Sequence, residues 1–454
     1  MIIKLRHCWQ EMRSSFWFLP AVVVMSAVVL AAALIALDIN SGLQVDKKWP
    51  LIFGSGAEGA RGLLSSVAGS MITVAGVVFS ITIVALALTS SQYTSRVLRN
   101  FMRDWINQLV LGVFLGIFAY CLVVLRTIRG EDEGAFVPSL AVLGGLVLSF
   151  VGIGFLIFFI HHIAMSIQAS NIIATAAKET ITVVDHLFPK GLGEGADDDD
   201  KNNYEMSLAE QTWSAVPALR TGYIESIDGD ALLELARELG AVLRMERAIG
   251  EFVVDGSPLV SVASLVEFNE QAIAKLNAIY VISGQRSVQQ DAGFGIRQIV
   301  DIAMKALSPG INDSTTAVMC VDYLAAILAR LAAREIASLY RLDEGKLRVI
   351  ARGPSFKSLL AEAFDQIRQN AEGNVAILTR QLNALETIAA KTTSARRRQA
   401  LWQQVETIAE VAKRSIPTPR DCEPLNASMR RLSVVLKGQA SDTVLKLNGL
   451  TICF

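Results

Sequence analysis

The chain has 454 residues, more than a single domain usually holds, and 52% of them are hydrophobic, with the excess in the first third. Its 42 basic and 43 acidic residues leave a net charge of −1, so no global basic field points to a nucleic-acid partner. Five cysteines (Cys8, Cys121, Cys320, Cys422, Cys453) are scattered without CxxC spacing, which suggests neither a disulfide framework nor a zinc site.

The start, MIIKLRHCWQEMRSSFWF, places basic residues ahead of an apolar run in the manner of a signal peptide. The run is too long for one and more apolar runs follow, so it reads as a retained anchor. The first expected span is about 16–37, with Trp17 as an interfacial aromatic and Pro20 in the first turns. A polar connection from Asp38 to Arg61, including GSGAEGARG, reads as a flexible loop.

The second span, about 63–89, contains no Asp, Glu, Lys or Arg and is long enough to cross a bilayer. Ser66, Gly69, Thr73, Gly76, Ser80, Ala87 and Ser91 fall three or four residues apart, with one step of seven, on one side of it. Val77, Val78, Ile81, Val84 and Leu88 make the other side greasy. Such a small, weakly polar stripe serves either close helix packing or the lining of a pore or cavity. Gln92 to Trp105 has no Pro or Gly, so the helix is expected to continue, with Arg96, Arg99 and Arg103 on a shared face for lipid phosphates or a vestibule.

The third span is about 108–125, with Gly112 and Gly116 spaced for close approach of another helix. The fourth is about 138–160, with small residues at Gly144, Gly145, Gly152 and Gly154. His161 and His162 follow; as helix neighbours they point about 100° apart, which suits an interfacial position better than a shared ion. Four spans put both termini on one side. Lys4, Arg6, Arg13, Arg96, Arg99 and Arg103 against Lys47, Lys48, Arg61, Arg126 and Arg129 favour that side as cytoplasmic, in a bacterial inner membrane.

Residues 1–162 are thus expected to form a transmembrane domain, followed by a stalk helix at 163–188, amphipathic enough to pack on a copy of itself. A charged linker at 189–210 contains four aspartates, which read as solvated charge. From 211 to 264 the pattern changes to short alternating runs, TWSAVP, RTGYIESI, AVLRMER, EFVV and PLVSV, with DGDALLELAREL as an inserted helix. VLRMERAIGEFVVDGSPLVSV resembles the half-motif of biotinyl and lipoyl-type barrel-sandwich folds, with turns at Gly250 and at Asp255-Gly256. Those carriers hold their group on a hairpin lysine. The matching region here is the helix, which has no lysine, so a small barrel- or sandwich-like β-module without a cofactor is expected.

Residues 265–431 read as a helical cytoplasmic domain and 432–454 as a loose tail. Its best-marked stretch, DAGFGIRQIVDIAMKALSPGINDSTTAVMCVDYLAAILARL, is two helices joined at Ser308–Asp313. Proline stops the first, glycine permits the turn, and Asn312 or Asp313 caps the second. Arg297 and Asp301 are one turn apart and can pair. With Asp291 nearby, Asp301, Asn312 and Asp313 read as oxygen ligands for a divalent cation or, with Arg297, as a docking site for an anionic ligand; the alternative is a capped structural turn locked by an internal ion pair. No metal site is assigned.

MITVAGVVFSITIVALALTSSQYTSRVLRNFMRD from Met71, FFIHHIAMSIQ, TGYIESID from Thr221 and FGIRQIVDIAMKALSPGINDSTTA from Phe294 together resemble the bacterial predicted membrane proteins of domain-of-unknown-function family twenty-two fifty-four. Ser314 stands where proline is expected after Asn-Asp. The resemblance implies a multi-span region with an attached cytoplasmic part and brings no activity. No P-loop, G-x-S-x-G, HExxH or dinucleotide fingerprint is present, so no enzyme is expected. The chain reads as an α-helical membrane protein with four transmembrane helices and an α+β cytoplasmic region. It contacts the lipid bilayer, forms a homo-oligomer, and works either as a conduit with a gating domain or as an anchored scaffold or ligand sensor.

Overall fold

Apolar sequence without charge leaves backbone groups in a bilayer no partner but one another, and the helix is the local solution. The computed structural model describes residues 17–41, 56–92, 104–129, 136–187, 194–195, 211–263, 270–288, 290–334, 336 and 339–437, in two units, 1–171 and 172–454. The first unit contains α1 (Phe18–Ser41), α2 (Gly56–Gln92), α3 (Trp105–Thr127) and α4 (Ser139–Ser166). At one end Asp38 accepts hydrogen bonds from Leu140 N and Ala141 N (3.0 and 3.2 Å), and Arg61 donates to Ile128 O (2.8 Å). At the other, Asp104 meets His162. Successive helices therefore run antiparallel.

Glycines set the closest approaches. A Cβ at Gly112 would stand 3.0 Å from Pro20 Cα, and one at Gly116 would stand 3.3 Å from Ala27 Cβ, so the GxxxG of α3 takes α1. Gly145 and Gly152 of α4 seat Leu64 and Met71 of α2. Tyr120, fully buried among them, donates to Ala141 O at 2.7 Å.

Several expectations change. The GSGAEGARG loop is helical from Gly56, because Ala57 and Ala60 continue the line that α2 packs into the bundle. Asp104 is extended (φ −64, ψ 107) and caps a new helix, so no single helix runs from Leu63 to Trp105. α4 passes through both histidines before a break at Ile167–Gln168.

The second unit opens with α5 (Ala169–Leu187, whose first residues lie in the first unit). Its apolar face, Ile172, Ile173, Ala176, Ala177, Thr180, Val183 and Val184, is buried. At Thr180 that face meets Gly295 of the same chain rather than a copy of itself. Then come β1 (Glu194–Gly195), β2 (Trp213–Pro217), β3 (Gly222–Ile227), α6 (Gly229–Glu238), β4 (Val242–Met245), β5 (Phe252–Val253), β6 (Pro258–Ala263), α7 (Glu270–Ile279) and β7 (Tyr280–Ser283). The remainder is α8 (Ala292–Ala306), α9 (Ser314–Ala332), β8 (Tyr340–Asp343), β9 (Lys346–Ile350), α10 (Phe356–Asn370), α11 (Val375–Ala389), α12 (Ala395–Ser415) and α13 (Pro419–Lys437).

Among the described residues five helices are long and apolar enough to cross a membrane, α1 to α4 and α9, and half of α9 is buried against α8, α10 and α11. One sheet has the order β1-β8-β9-β4-β6-β2, antiparallel except at β4/β9, and a second has the order β5-β3-β7. The alternating runs of 211–264 thus pair with β7 and β9, and β9 with β8, three strands inside the stretch read as helical. β8 and β9 form a hairpin whose turn residues Glu344 and Gly345 both have positive φ (50° and 73°). Where a loose tail is expected from 432, α13 continues to Lys437.

Candidate functional site

α2 carries two lines of side chains at a 3.5-residue period. Leu64, Ala68, Met71, Ala75, Val78, Thr82, Ala85 and Thr89 are buried and alternate steps of four and three, the spacing of a left-handed packing seam. The sequence-derived stripe, Ser66, Gly69, Thr73, Gly76, Ser80, Ala87 and Ser91, lies two residues out of phase, about 200° round the helix, and every member is exposed. The structure therefore brings these seven residues together on one line, and that line faces outward from the bundle. Of the residues read as the opposite side, Val77, Ile81, Val84 and Leu88 are exposed too, whereas Val78 is 1% exposed in the inner seam.

The hydroxyls on the outward line divide into two kinds. Thr73 donates to Gly69 O (2.8 Å) and Ser91 to Leu88 O (3.0 Å). Among the described residues, Ser66 and Ser80 make no side-chain hydrogen bond. Nothing lies within 4 Å of a Cβ built on Gly69 or Gly76, in contrast to Gly145 and Gly152 of α4. Arg96, Arg99 and Arg103 lie outside the described residues.

In the second unit the five residues read as one site are spread along α8. Asp291 caps its start, accepting from Phe294 N at 2.9 Å through Oδ1 and from Arg286 Nε and Nη2 at 2.9 and 2.7 Å through Oδ2. Burial pushes the Asp291 carboxyl above its ordinary range, against the pull of Arg286. Gly250, at φ +84, stands so close that a Cβ there would overlap Asp291 Oδ2. Arg297 pairs with Asp301 (3.0 Å) as its spacing predicts, and also with Glu362 of α10 (3.1 Å), which its spacing does not reveal.

Asn312 takes φ +48 in the turn between α8 and α9. Asp313 caps α9, accepting from Thr316 N at 3.0 Å and from its hydroxyl at 2.5 Å. Those bonds, the hydroxyl first, hold the Asp313 carboxyl below the usual carboxylate range. Asp291 and Asp313 flank the 15 residues of α8, about 22 Å of helix apart, so they cannot ligate one ion. Among the described residues no group of three His, Cys, Asp or Glu is placed to hold a metal.

Ser166, His162 and Asp104, missed by local reading because Asp104 lies 58 residues before His162, make a chain of contacts that mimics a nucleophilic triad. Ser166 Oγ is 3.2 Å and Asp104 Oδ2 is 2.5 Å from His162, but both contacts use Nε2. A relay needs one partner on each ring nitrogen, so this arrangement cannot activate the serine.

A family model described as a predicted membrane protein (DUF2254) matches residues 13–387. The chain is similar to Uncharacterized protein Mb1321c of Mycobacterium bovis and Uncharacterized protein Rv1290c of Mycobacterium tuberculosis. Each is 34% identical over 448 residues, covering 96% of this chain and 83% of the relative. No solved structure matches.

Proposed function

Because the chain belongs to this DUF2254 family of predicted membrane proteins, we propose that it is a multi-pass protein of the bacterial inner membrane, assembled as a homo-oligomer through the outward line of α2. α1 to α4 are its four spans, the termini and second unit are cytoplasmic, and the second unit gates a conduit bordered by α2. The observation that carries this reading is the exposed small-residue line itself. Lipid tails are as apolar as leucine, so burial alone does not drive membrane helices together, and small residues serve where another backbone approaches. α1 and α4, by contrast, present Met25, Val29, Leu30, Phe150, Ile153 and Ile157 outward, as helices facing acyl chains do. Unpaired hydroxyls at Ser66 and Ser80 favour sheltered water or a partner over lipid.

A scaffold without conduction is the second reading, supported by Thr73 and Ser91, which bond their own backbone instead of offering their hydroxyl protons to a lumen. The test is the native mass of full-length protein in nanodiscs or mild detergent, with currents recorded in planar bilayers. Gly76→Leu and Ser80→Leu are expected to reduce the oligomer without unfolding the bundle. Ala75→Leu, one residue away on the inner seam, is expected to destabilise the bundle itself. A monomeric wild type sinks the assembly, and an intact oligomer silent under voltage and tension sinks the conduit while leaving the scaffold.

A further inference from the structure

The end of the first unit where α3 begins and α4 finishes holds polarity that bundle packing leaves over. Asp104 Oδ1 accepts from Ile106 N (3.0 Å), while Oδ2 faces His162 Nε2 at 2.5 Å. Ser166 Oγ lies 3.2 Å from the same nitrogen and sends its own proton to His162 O at 2.8 Å. The carboxylate and this hydroxyl oxygen are then both acceptors, so Nε2 carries the hydrogen. Nδ1 is the nitrogen left bare in the neutral ring. Phe158 stacks on the imidazole at 6.0 Å.

Three residues beyond Asp104, on the same face of α3, Asn107 is 2% exposed, and neither its Oδ1 nor its Nδ2 has a partner. A buried polar atom left unpaired destabilises the fold. One water relieves both atoms, since it donates to the oxygen and accepts from the nitrogen. The other helices do not supply that partner: Thr82 and Thr89 on the inner seam of α2 donate to Val78 O and Ala85 O. Among the described residues of α1, α2, α3 and α4, the ionisable groups at this end are Asp104, His162 and the exposed His161.

We propose that Asp104, Asn107 and His162 form a proton-binding site with one resident water on the Asn107 amide. His162 gains and releases its proton at Nδ1 while Nε2 remains tied to Asp104. Uptake turns a hydrogen bond from a neutral ring to a carboxylate into an imidazolium–carboxylate pair and tightens the joint between α3 and α4. This holds whether or not the chains assemble.

The experiment uses full-length protein in lipid nanodiscs, with His7, His161 and His186 replaced by Gln and the remaining histidine labelled with nitrogen-15. From alkaline to acidic pH, Nδ1 is expected to pass from the bare to the protonated signal while Nε2 keeps its hydrogen throughout. Amide-exchange protection in the first turn of α3, corrected for intrinsic rates, rises about fivefold over the same range, and His162→Gln abolishes the rise. A bare Nε2 at high pH, or no change at Nδ1, overturns the site. The side-chain amide of Asn107 is expected to show a cross-peak to slowly exchanging water. Asn107→Leu loses that peak and keeps wild-type thermal stability or better; absence of the peak in the unsubstituted protein overturns the water.

Discussion

Replacing Gly295 by alanine tests the approach of α8 to α5. The new Cβ would overlap Thr180 Oγ1 and stand 2.9 Å from Thr180 Cβ and Cγ2. Thr180 is fully buried and its hydroxyl is donated to Ala176 O at 2.6 Å, so the side chain has nowhere to rotate. In a helix interior Gly→Ala alone stabilises by about 1 kcal/mol, whereas overpacking costs about 1–3 kcal/mol. Three atoms of one immobile side chain are struck, which places the cost near the top of that range, and the net loss is about 1–2 kcal/mol. At about 2–4 °C per kcal/mol for a unit of this size, the unfolding temperature falls by about 2–8 °C.

Thr180→Ala removes the struck hydroxyl and methyl. On that background Gly295→Ala is expected to be neutral or stabilising, so the two changes are coupled by about 1–3 kcal/mol. The assay is thermal unfolding of the four full-length proteins in one detergent, with amide exchange in α5 and α8 reporting the second unit alone. If Gly295→Ala raises the unfolding temperature by itself, or its effect is the same with alanine at 180, the two helices are not held at this distance.

Asp313→Ala is expected to destabilise the second unit by about 1 kcal/mol through loss of the cap on α9. Because its bonds with Thr316 lower the folded-state value of Asp313, that contribution is full above the unfolded value of about 3.9 and fades as pH falls through the folded one. The gap between wild type and variant in denaturant titrations therefore narrows in acid. Gly250→Ala, at φ +84 and against the Asp291 carboxylate, is expected to cost more than about 1 kcal/mol. It should raise exchange at the Phe294 amide; unchanged protection there would show that the cap does not depend on this close approach.

The membrane region was legible because absence of charge over two dozen residues is a strong, local signal, and the strands at Trp213, Gly222, Val242 and Pro258 because they are short apolar runs bounded by turn residues. The hairpin of β8 and β9 was hidden within helical surroundings, although Glu344-Gly345 between YRLD and KLRVI is a recognisable turn signal. Asp291 stands apart from the Ser308–Asp313 turn for a different reason. Sequence proximity around the Ser308–Asp313 turn suggested clustering, while the length of α8 separates its two caps. Arg297 with Glu362, and Asp104 with His162, join residues 65 and 58 positions apart, and no local pattern encodes such pairs.

Which face of α2 packs inside the chain was equally beyond reach, since both lines share one period. Their contents differ in a way only the structure exposes. On the inner seam α2 supplies the large residues, Leu64 and Met71, seven apart, and α4 supplies the glycines that receive them, Gly145 and Gly152, also seven apart. On the outward side the relation is reversed: α2 itself carries the glycines, Gly69 and Gly76, with nothing against them. Beside them stand exposed Ile72 and Phe79, again seven apart. Holes and knobs of equal spacing on one helix are self-complementary, so two copies of α2 can satisfy each other without any further surface. On this reading Phe79→Ala weakens the oligomer as Gly76→Leu does, and cysteines at 76 and 79 on different chains cross-link. Loss of assembly with Gly76→Leu but full assembly with Phe79→Ala would place some other side chain over the glycines.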